Sequence, residues 1–318
     1  MSQSRRLAAI DIGTVTTRLL VADVLDCDVT EVARCSTITH LGDGWTGTGR
    51  LADASIERVA TTVAEFVVEA RSLGAVEIFG VATSASRDAE NGTEFLDRLE
   101  AVGMRPEIIT GAREAALSFT GATFDLGGEG TLVVDVGGGS TELVLGSRGA
   151  DGAVDIESAR SIDVGSKRIT ELFLASDPPS HLELDAARAF ITDELRPYFD
   201  GLRSRPRRMI AVAGTATSIA AIDMALDPYD SSRVHGYRLG GHAIADVREE
   251  LSAMTLERRR QVPGLEPARA GVIVAGALIL ETALALASLD STLVSEHDIL
   301  YGMVLERYAG TCSVPAKE

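Results

Sequence analysis

Residues 7–24, LAAIDIGTVTTRLLVADV, and residues 131–147, TLVVDVGGGSTELVLGS, decide the fold. At a constant offset of 124, Asp11 falls on Asp135, Gly13 on Gly137, Thr16 on Ser140, Thr17 on Thr141 and Leu19 on Leu143. Each stretch reads as an apolar strand, an aspartate, a tight Gly/Ser/Thr turn and a second apolar strand, the pattern of a β-hairpin. One Asp-x-Gly turn reads equally well as an ordinary hairpin. Two matching copies one domain-length apart predict duplicated halves. Glycine lets backbone approach a ligand closely, and successive N–H groups with hydroxyls form an anion nest. An aspartate at the strand end offers a hard oxygen to Mg²⁺. These turns therefore point to phosphate.

A third glycine turn follows in IAVAGTATSIAAI (210–222), where an apolar run enters Gly214 and Thr215 and a helical pattern begins. Ser and Thr at a helix start suit either a cap or an anion. Elsewhere strands alternate with helices. Periodicity predicts helices over 53–73, 88–103, 112–121, 183–202, 242–262 and 268–288, and strands over 75–83 and 106–110. Gly146–Val154 and Asp177–Ser180 read as loops. The alternation predicts layered α/β domains.

Composition sets the outer limits. The 318 residues carry 30 Lys+Arg against 47 Asp+Glu, a formal net charge of −17. That balance excludes a general nucleic-acid binder, which needs positive charge to replace phosphate counterions. It also excludes a polybasic membrane-surface protein. Only Lys167 and Lys317 are lysines; the other basic residues are arginines, which suit codon bias as well as bidentate recognition of phosphate. Cys27, Cys35 and Cys312 form no metal or redox spacing, and a reducing cytoplasm is expected. Arg5 and Arg6 precede too few apolar residues for a secretion signal. The apolar run 270–280 is too short for a membrane span, which needs ~20 residues.

The three turns together resemble the phosphate and adenosine motifs of the actin/Hsp70/sugar-kinase fold. Further stretches narrow the resemblance: LGDGWTGTGRL (41–51), ATSASRDAENGTEFL (82–96), ITGAREAALSFTGA (109–122), VHGYRL (234–239), GLEPARAGVIVAGALIL (264–280) and VSEHDILYGM (294–303). As an ordered set they resemble the exopolyphosphatase / guanosine pentaphosphate phosphohydrolase family. The resemblance implies duplicated actin-like, ribonuclease H-like α/β domains around a cleft. The first would cover 1–124 and the second 125–297, with a C-terminal helix at about 298–312 returning to the first. It implies removal of terminal phosphate from polyphosphate or guanosine pentaphosphate, Mg²⁺ (or Mn²⁺) as cofactor, and a homodimer.

Residue by residue, Glu114 matches the glutamate that activates water. Asp11, Asp135 and Glu142 match positions near the metal; like charges so close need a cation or protons. Gly13, Thr14, Thr16, Gly137, Gly138, Gly139, Ser140, Thr141, Gly214 and Thr215 match the phosphate turns, and Arg87 and Arg269 match arginines that face phosphate.

Three positions depart from the family pattern. Val15 stands where an Asn is usual, and the missing amide is expected to weaken phosphate binding by ~1.5–3 kcal/mol. His40 replaces an Arg, turning a fixed charge into a titratable one. Gly271 replaces an Asp that would orient Arg269, leaving its guanidinium freer. His181, His242 and His297 show no ligand spacing; His235 lies in VHGYRL and caps a turn or borders the cleft. Trp45, between glycines, reads as a lip or an anchor. Two alternatives stay open: a weakly active sensor of polyphosphate or alarmone, and a phosphotransferase of the same superfold. Residues 200–270 hold 11 Arg against 9 acidic residues, including the runs 203–208 and 258–260, which read as solvated. The acidic remainder should slow capture of long polyanions, so short chains or small alarmones are expected.

Overall fold

In a computed structural model, the described residues are 4–26, 28–44 and 48–309. Trp45, Cys27, Cys312 and Lys317 lie outside them. The chain divides into two units, Met1–Arg113 with Ile299–Glu318, and Glu114–Asp298.

The first unit is built on β1 (Arg5–Ile12), β2 (Thr16–Leu25), β3 (Asp28–Ile38), β4 (Glu77–Ala82) and β5 (Glu107–Ile108), in the order β3-β2-β1-β4-β5. β1 and β2 form the hairpin read from the sequence, with Asp11 opposite Arg18. β4 runs parallel to β1. Alternate residues Ala8, Ile10 and Ile12 pack on Val59, Val63 and Phe66 of α1 (Asp53–Ser72) and on Phe95 and Leu99 of α3 (Gly92–Ala101). A short helix, α2 (Ser84–Asp88), precedes α3. The other face of β1 and β2 meets α12 (Ile299–Ala309). Leu7 and Ala9 there are fully buried. Burial on both faces explains why LAAIDI reads as a continuous apolar run and not an alternating one.

The second unit repeats the plan with β6 (Thr131–Val136), β7 (Thr141–Arg148), β8 (Val154–Ile162), β9 (Arg208–Val212), β10 (Arg238–Gly240) and β11 (Ser291–Val294). Their order is β10-β11-β9-β6-β7-β8. Read from the other edge, β8-β7-β6-β9-β11 matches β3-β2-β1-β4-β5. Leu132, Val134, Leu143 and Leu145 pack on α6 (His181–Asp200), α7 (Ala213–Asp223) and α11 (Ile273–Leu286). Val133, Val144, Ile210 and Val212 pack on Ala115, Phe119 and Ala122 of α4 (Gly111–Ala122). The result is the duplicated, actin-like α/β architecture. Among the described residues, no helix is long and apolar enough to cross a membrane.

Several expectations need correction. The third strand of each sheet, β3 and β8, was not read from the sequence, because each is a half-exposed outer strand with mixed composition. Strand β7 runs on to Arg148, so the loop expected over Gly146–Val154 shrinks to the residues between β7 and β8. The single helix expected over 242–262 is two, α9 (Gly241–Ser252) and α10 (Leu256–Arg259). The carboxylate of Asp177 accepts the Leu256 N–H at 2.8 Å and starts a new helix there. The helix expected from 268 begins at Ile273, because Pro267 opens a separate 3₁₀ turn, Pro267–Arg269.

Candidate active site

Cross-strand register assembles the centre of the second unit. Asp135 at the end of β6 faces Glu142 on β7, which faces Ser161 on β8. Asp135 shares the sheet face of Val133, the face on which α4 lies. Glu114, in the first turn of α4, is buried there. One turn on, Ser118 donates to Asp135 Oδ2 at 2.8 Å. Glu142 is 2% exposed. Its Oε1 accepts hydrogen bonds from Ser140 Oγ at 2.8 Å and Ser161 Oγ at 2.6 Å. Burial first, and then the charges of Glu114 and Asp135, push the Glu142 carboxyl well above the usual range; the two serines pull it back. Three buried carboxylates thus stand close enough to repel.

The loop 137–140 sits beside them, and its carbonyls are spoken for. Gly137 O accepts from Ser166 N at 2.8 Å, Gly138 O from Lys167 N at 2.9 Å, and Gly139 O from Arg168 Nε at 2.9 Å. These donors start α5 (Ser166–Phe173). In a trans peptide the carbonyl of one residue points opposite the N–H of the next. The amides of Gly138, Gly139 and Ser140 therefore all point away from α5. The approach is so close that a Cβ on Gly165 would lie 2.4 Å from the Gly138 carbonyl oxygen. Three amides in a row make an anion nest.

The hairpin turn of the first unit is built alike. Gly13 N donates to Thr16 O at 2.9 Å, as Gly137 N does to Ser140 O at 3.0 Å. The carbonyls of Thr14 and Val15 accept from Gly42, Thr39 and His40, each at 2.9 Å. The amides of Val15 and Thr16 accordingly face the other way. The carboxylate differs, however. Asp11 Oδ2 accepts from Arg18 Nη2 at 2.6 Å and Nε at 3.0 Å. At the offset of 124, Arg18 is the counterpart of Glu142. Like charges gather at Asp135, Glu142 and Glu114, whereas Asp11 already faces a guanidinium. Arg87, on α2, donates to the Ile109 carbonyl at 3.2 Å.

Two expected phosphate contacts use their hydroxyls elsewhere. Thr141 is fully buried and donates to the Val164 carbonyl. Strand alternation turns it from the face that carries Ser140 and Glu142. Thr215 donates to the Val136 carbonyl at 3.3 Å, bracing the strand that leads into the loop. Gly214 is needed for another reason: a Cβ there would lie 1.7 Å from Arg269 Nη1. The guanidinium lies directly over the glycine. Arg269 Nε also donates to Glu266 Oε2 at 3.0 Å, so the freedom expected from Gly271 is not found; Glu266 orients the side chain instead. Arg259, expected among solvated charges, is buried and pairs with Asp177 at 2.8 Å while donating to the Ala270 carbonyl at 3.1 Å.

The other two departures are absorbed locally. Val15 is buried, and its carbonyl holds the loop through the Thr39 and His40 amides. Beside His40 a fixed charge is present after all. Arg58 Nε donates to the Thr39 carbonyl at 3.0 Å and its Nη2 to the His40 carbonyl at 3.3 Å. Sequence reasoning missed Ser118, Ser161, Glu266 and Arg18. Ser118 was recoverable, since it lies four residues after Glu114 on one helix face. Ser161 was not, because strand β8 itself was not read.

Comparison with known proteins gives the family. The model of the Ppx/GppA phosphatase family matches residues 20–307. The chain is 38% identical to "Exopolyphosphatase 2" of Mycobacterium tuberculosis over 94% of this chain and 98% of that protein. A crystal structure described as an exopolyphosphatase-like protein superposes with a TM-score of 0.89 at 36% identity, covering 96% of this chain and 98% of that one. The Aquifex aeolicus member of the Ppx/GppA family superposes with a TM-score of 0.82 at 30% identity, covering 98% and 100%.

Proposed function

We propose, for a chain that belongs to the Ppx/GppA phosphatase family, that it is a phosphate-anhydride hydrolase releasing terminal phosphate from short-chain inorganic polyphosphate, guanosine pentaphosphate, or both. The observation that carries this reading is one local arrangement: three buried carboxylates beside a loop with three amides aligned on the side away from α5.

In this reading the amides of Gly138, Gly139 and Ser140 bind the terminal phosphoryl oxygens, as those of Val15 and Thr16 do in the first hairpin. Arg269 and Arg87 supply guanidinium donors to the chain. Glu114 orients a water and accepts its proton as the bridging anhydride bond breaks. Ser118 holds Asp135 and Ser161 holds Glu142, so the carboxylates keep one geometry. The donor set fits a divalent cation. Asp135, Glu142 and Glu114 offer hard oxygens, and the raised Glu142 carboxyl, buried beside the other two, supports a cation there. Mg²⁺ or Mn²⁺ held by these carboxylates would supply positive charge that attracts phosphate and favours their ionised forms.

The test is phosphate release from short and long polyphosphate, guanosine pentaphosphate and ATP with Mg²⁺. Glu114→Gln is expected to cut turnover at least ~100-fold while substrate binding persists. Unchanged turnover in that variant would remove Glu114 from the chemistry. Catalytic efficiency that climbs steadily with chain length would contradict the preference for short chains. Binding with no release on any substrate would favour a sensor.

A further inference from the structure

A second cluster of metal-ligating side chains lies in the same unit, away from the carboxylates of the candidate active site. Asp125 follows α4, His235 follows α8 (Ser231–Val234) and His297 follows β11. They are far apart in sequence, yet their ligand atoms all lie within 4.8 Å of one another. His235 Nε2 is 2.8 Å from Asp125 Oδ2, and His297 Nδ1 is 3.2 Å from Asp125 Oδ1. The two imidazole rings are 4.3 Å apart between centroids. We propose that Asp125, His235 and His297 form a second cation site, suited to a borderline transition ion of the Zn²⁺ class and not to Mg²⁺.

The chemistry of the donors makes the distinction. Two neutral imidazoles and one carboxylate match the nitrogen-rich sets that hold Zn²⁺, Co²⁺ or Ni²⁺, with coordination positions left for water. Mg²⁺ prefers oxygen ligands in a near-ideal octahedron, which describes Glu114, Asp135 and Glu142 better. The two sites should therefore sort ions by type.

The surroundings hold the three groups in place. Phe124 and His297 pack T-shaped, with ring centroids 5.9 Å apart, and Arg148 lies over the Phe124 ring at 5.7 Å. Ser295 Oγ donates to the His297 carbonyl at 2.8 Å. Glu296 N donates to His235 Nδ1 at 3.2 Å. Asp125 is the most exposed of the three at 42%, against 22% and 18% for the side chains of His235 and His297, so an ion reaches the cluster from solvent. Coordination through His235 Nε2 moves the ring proton to Nδ1, and the Glu296 amide must then let go. That bond and the two imidazole bonds to Asp125 are exchanged for three ligand bonds to the ion. Binding should thus be felt at Glu296, whose carboxylate accepts the Tyr229 hydroxyl.

The experiment uses the full chain with excess Mg²⁺ and Co²⁺ as the optical probe, repeated with Zn²⁺ in competition. Wild type should bind one equivalent of Co²⁺, displaced by Zn²⁺. His235→Ala/His297→Ala should lower the affinity by at least about tenfold, and Asp125→Asn likewise, while Mg²⁺-supported phosphate release stays at the wild-type rate. Co²⁺ affinity unchanged in the double variant, or no Co²⁺ binding by wild type, overturns the proposal. A measurement that needs no variant is imidazole ¹⁵N NMR of the wild type. Zn²⁺ should shift two of the 5 histidines, and shifts in none or in all alike would count equally against the site.

Discussion

Gly214→Ala should separate stability from activity. An added Cβ would meet Arg269 Nη1 at 1.7 Å and Cζ at 2.3 Å, so the guanidinium must leave its place over the turn. What moves is the far end of a flexible side chain, and no backbone has to shift. Gly214 is the second residue of α7, where alanine is favoured over glycine by roughly 0.5–1 kcal/mol. Against this stands the pairing of Arg269 with the half-exposed Glu266, about 0–1 kcal/mol. The two offset each other, so stability should stay within about 1 kcal/mol of wild type. Activity should not. If Arg269 donates to a substrate phosphate, its displacement removes a charge-assisted hydrogen bond of ~1.5–3 kcal/mol. At 1.4 kcal/mol per factor of ten, kcat/KM should fall roughly 10- to 100-fold. Urea denaturation and phosphate-release kinetics read the two effects separately. Arg269→Ala should reproduce the kinetic loss, and adding Gly214→Ala to it should change nothing more. Wild-type kcat/KM in Gly214→Ala would refute the assignment of Arg269 to substrate, and a large loss of stability would refute the packing reasoning.

Three further outcomes are expected. Ser161→Ala removes a hydroxyl 2.6 Å from a buried carboxylate and should destabilise the metal-free chain by ~1–3 kcal/mol in urea. The Glu142 carboxyl is raised above 4.5 in the folded state, so its stabilising contribution is present below that value and is lost as pH rises through the folded pKa. The Tm of the metal-free chain should carry that loss, and Mg²⁺ should raise Tm more at pH 8 than at pH 5; a Mg²⁺ effect independent of pH would count against cation binding at this cluster. Gly271→Asp should be tolerated within about 0.5 kcal/mol, because a Cβ there meets nothing within 4 Å.

The two hairpins were legible because their signal is local. A strand buried on both faces is a run of apolar residues, and the turn after it needs glycine whatever surrounds it, so 7–24 and 131–147 announce themselves. The ordered motifs then identified the family over nearly the whole chain, and Glu114, Asp135 and Glu142 were named from sequence. The outer strands DVTEVARCSTI and VDIESARSI were not legible, since half-exposed edges mix polar and apolar residues without a clean alternation. With β8 went Ser161, the hydroxyl that steadies Glu142.

The sequence by itself determined that the chain is duplicated, that its turns are of a phosphate-binding type, and which acidic residues stand beside them. Tertiary structure alone decided what faces what. Arg18 and Glu142 occupy the same place in the repeat, and only strand register shows that one neutralises its aspartate while the other adds to the negative charge. His235 and His297 stand 110 and 172 residues from Asp125, and no spacing rule connects them. Periodicity records how each segment meets its immediate surroundings, whereas a site is made where distant segments pack, and that is settled by the fold of the whole chain.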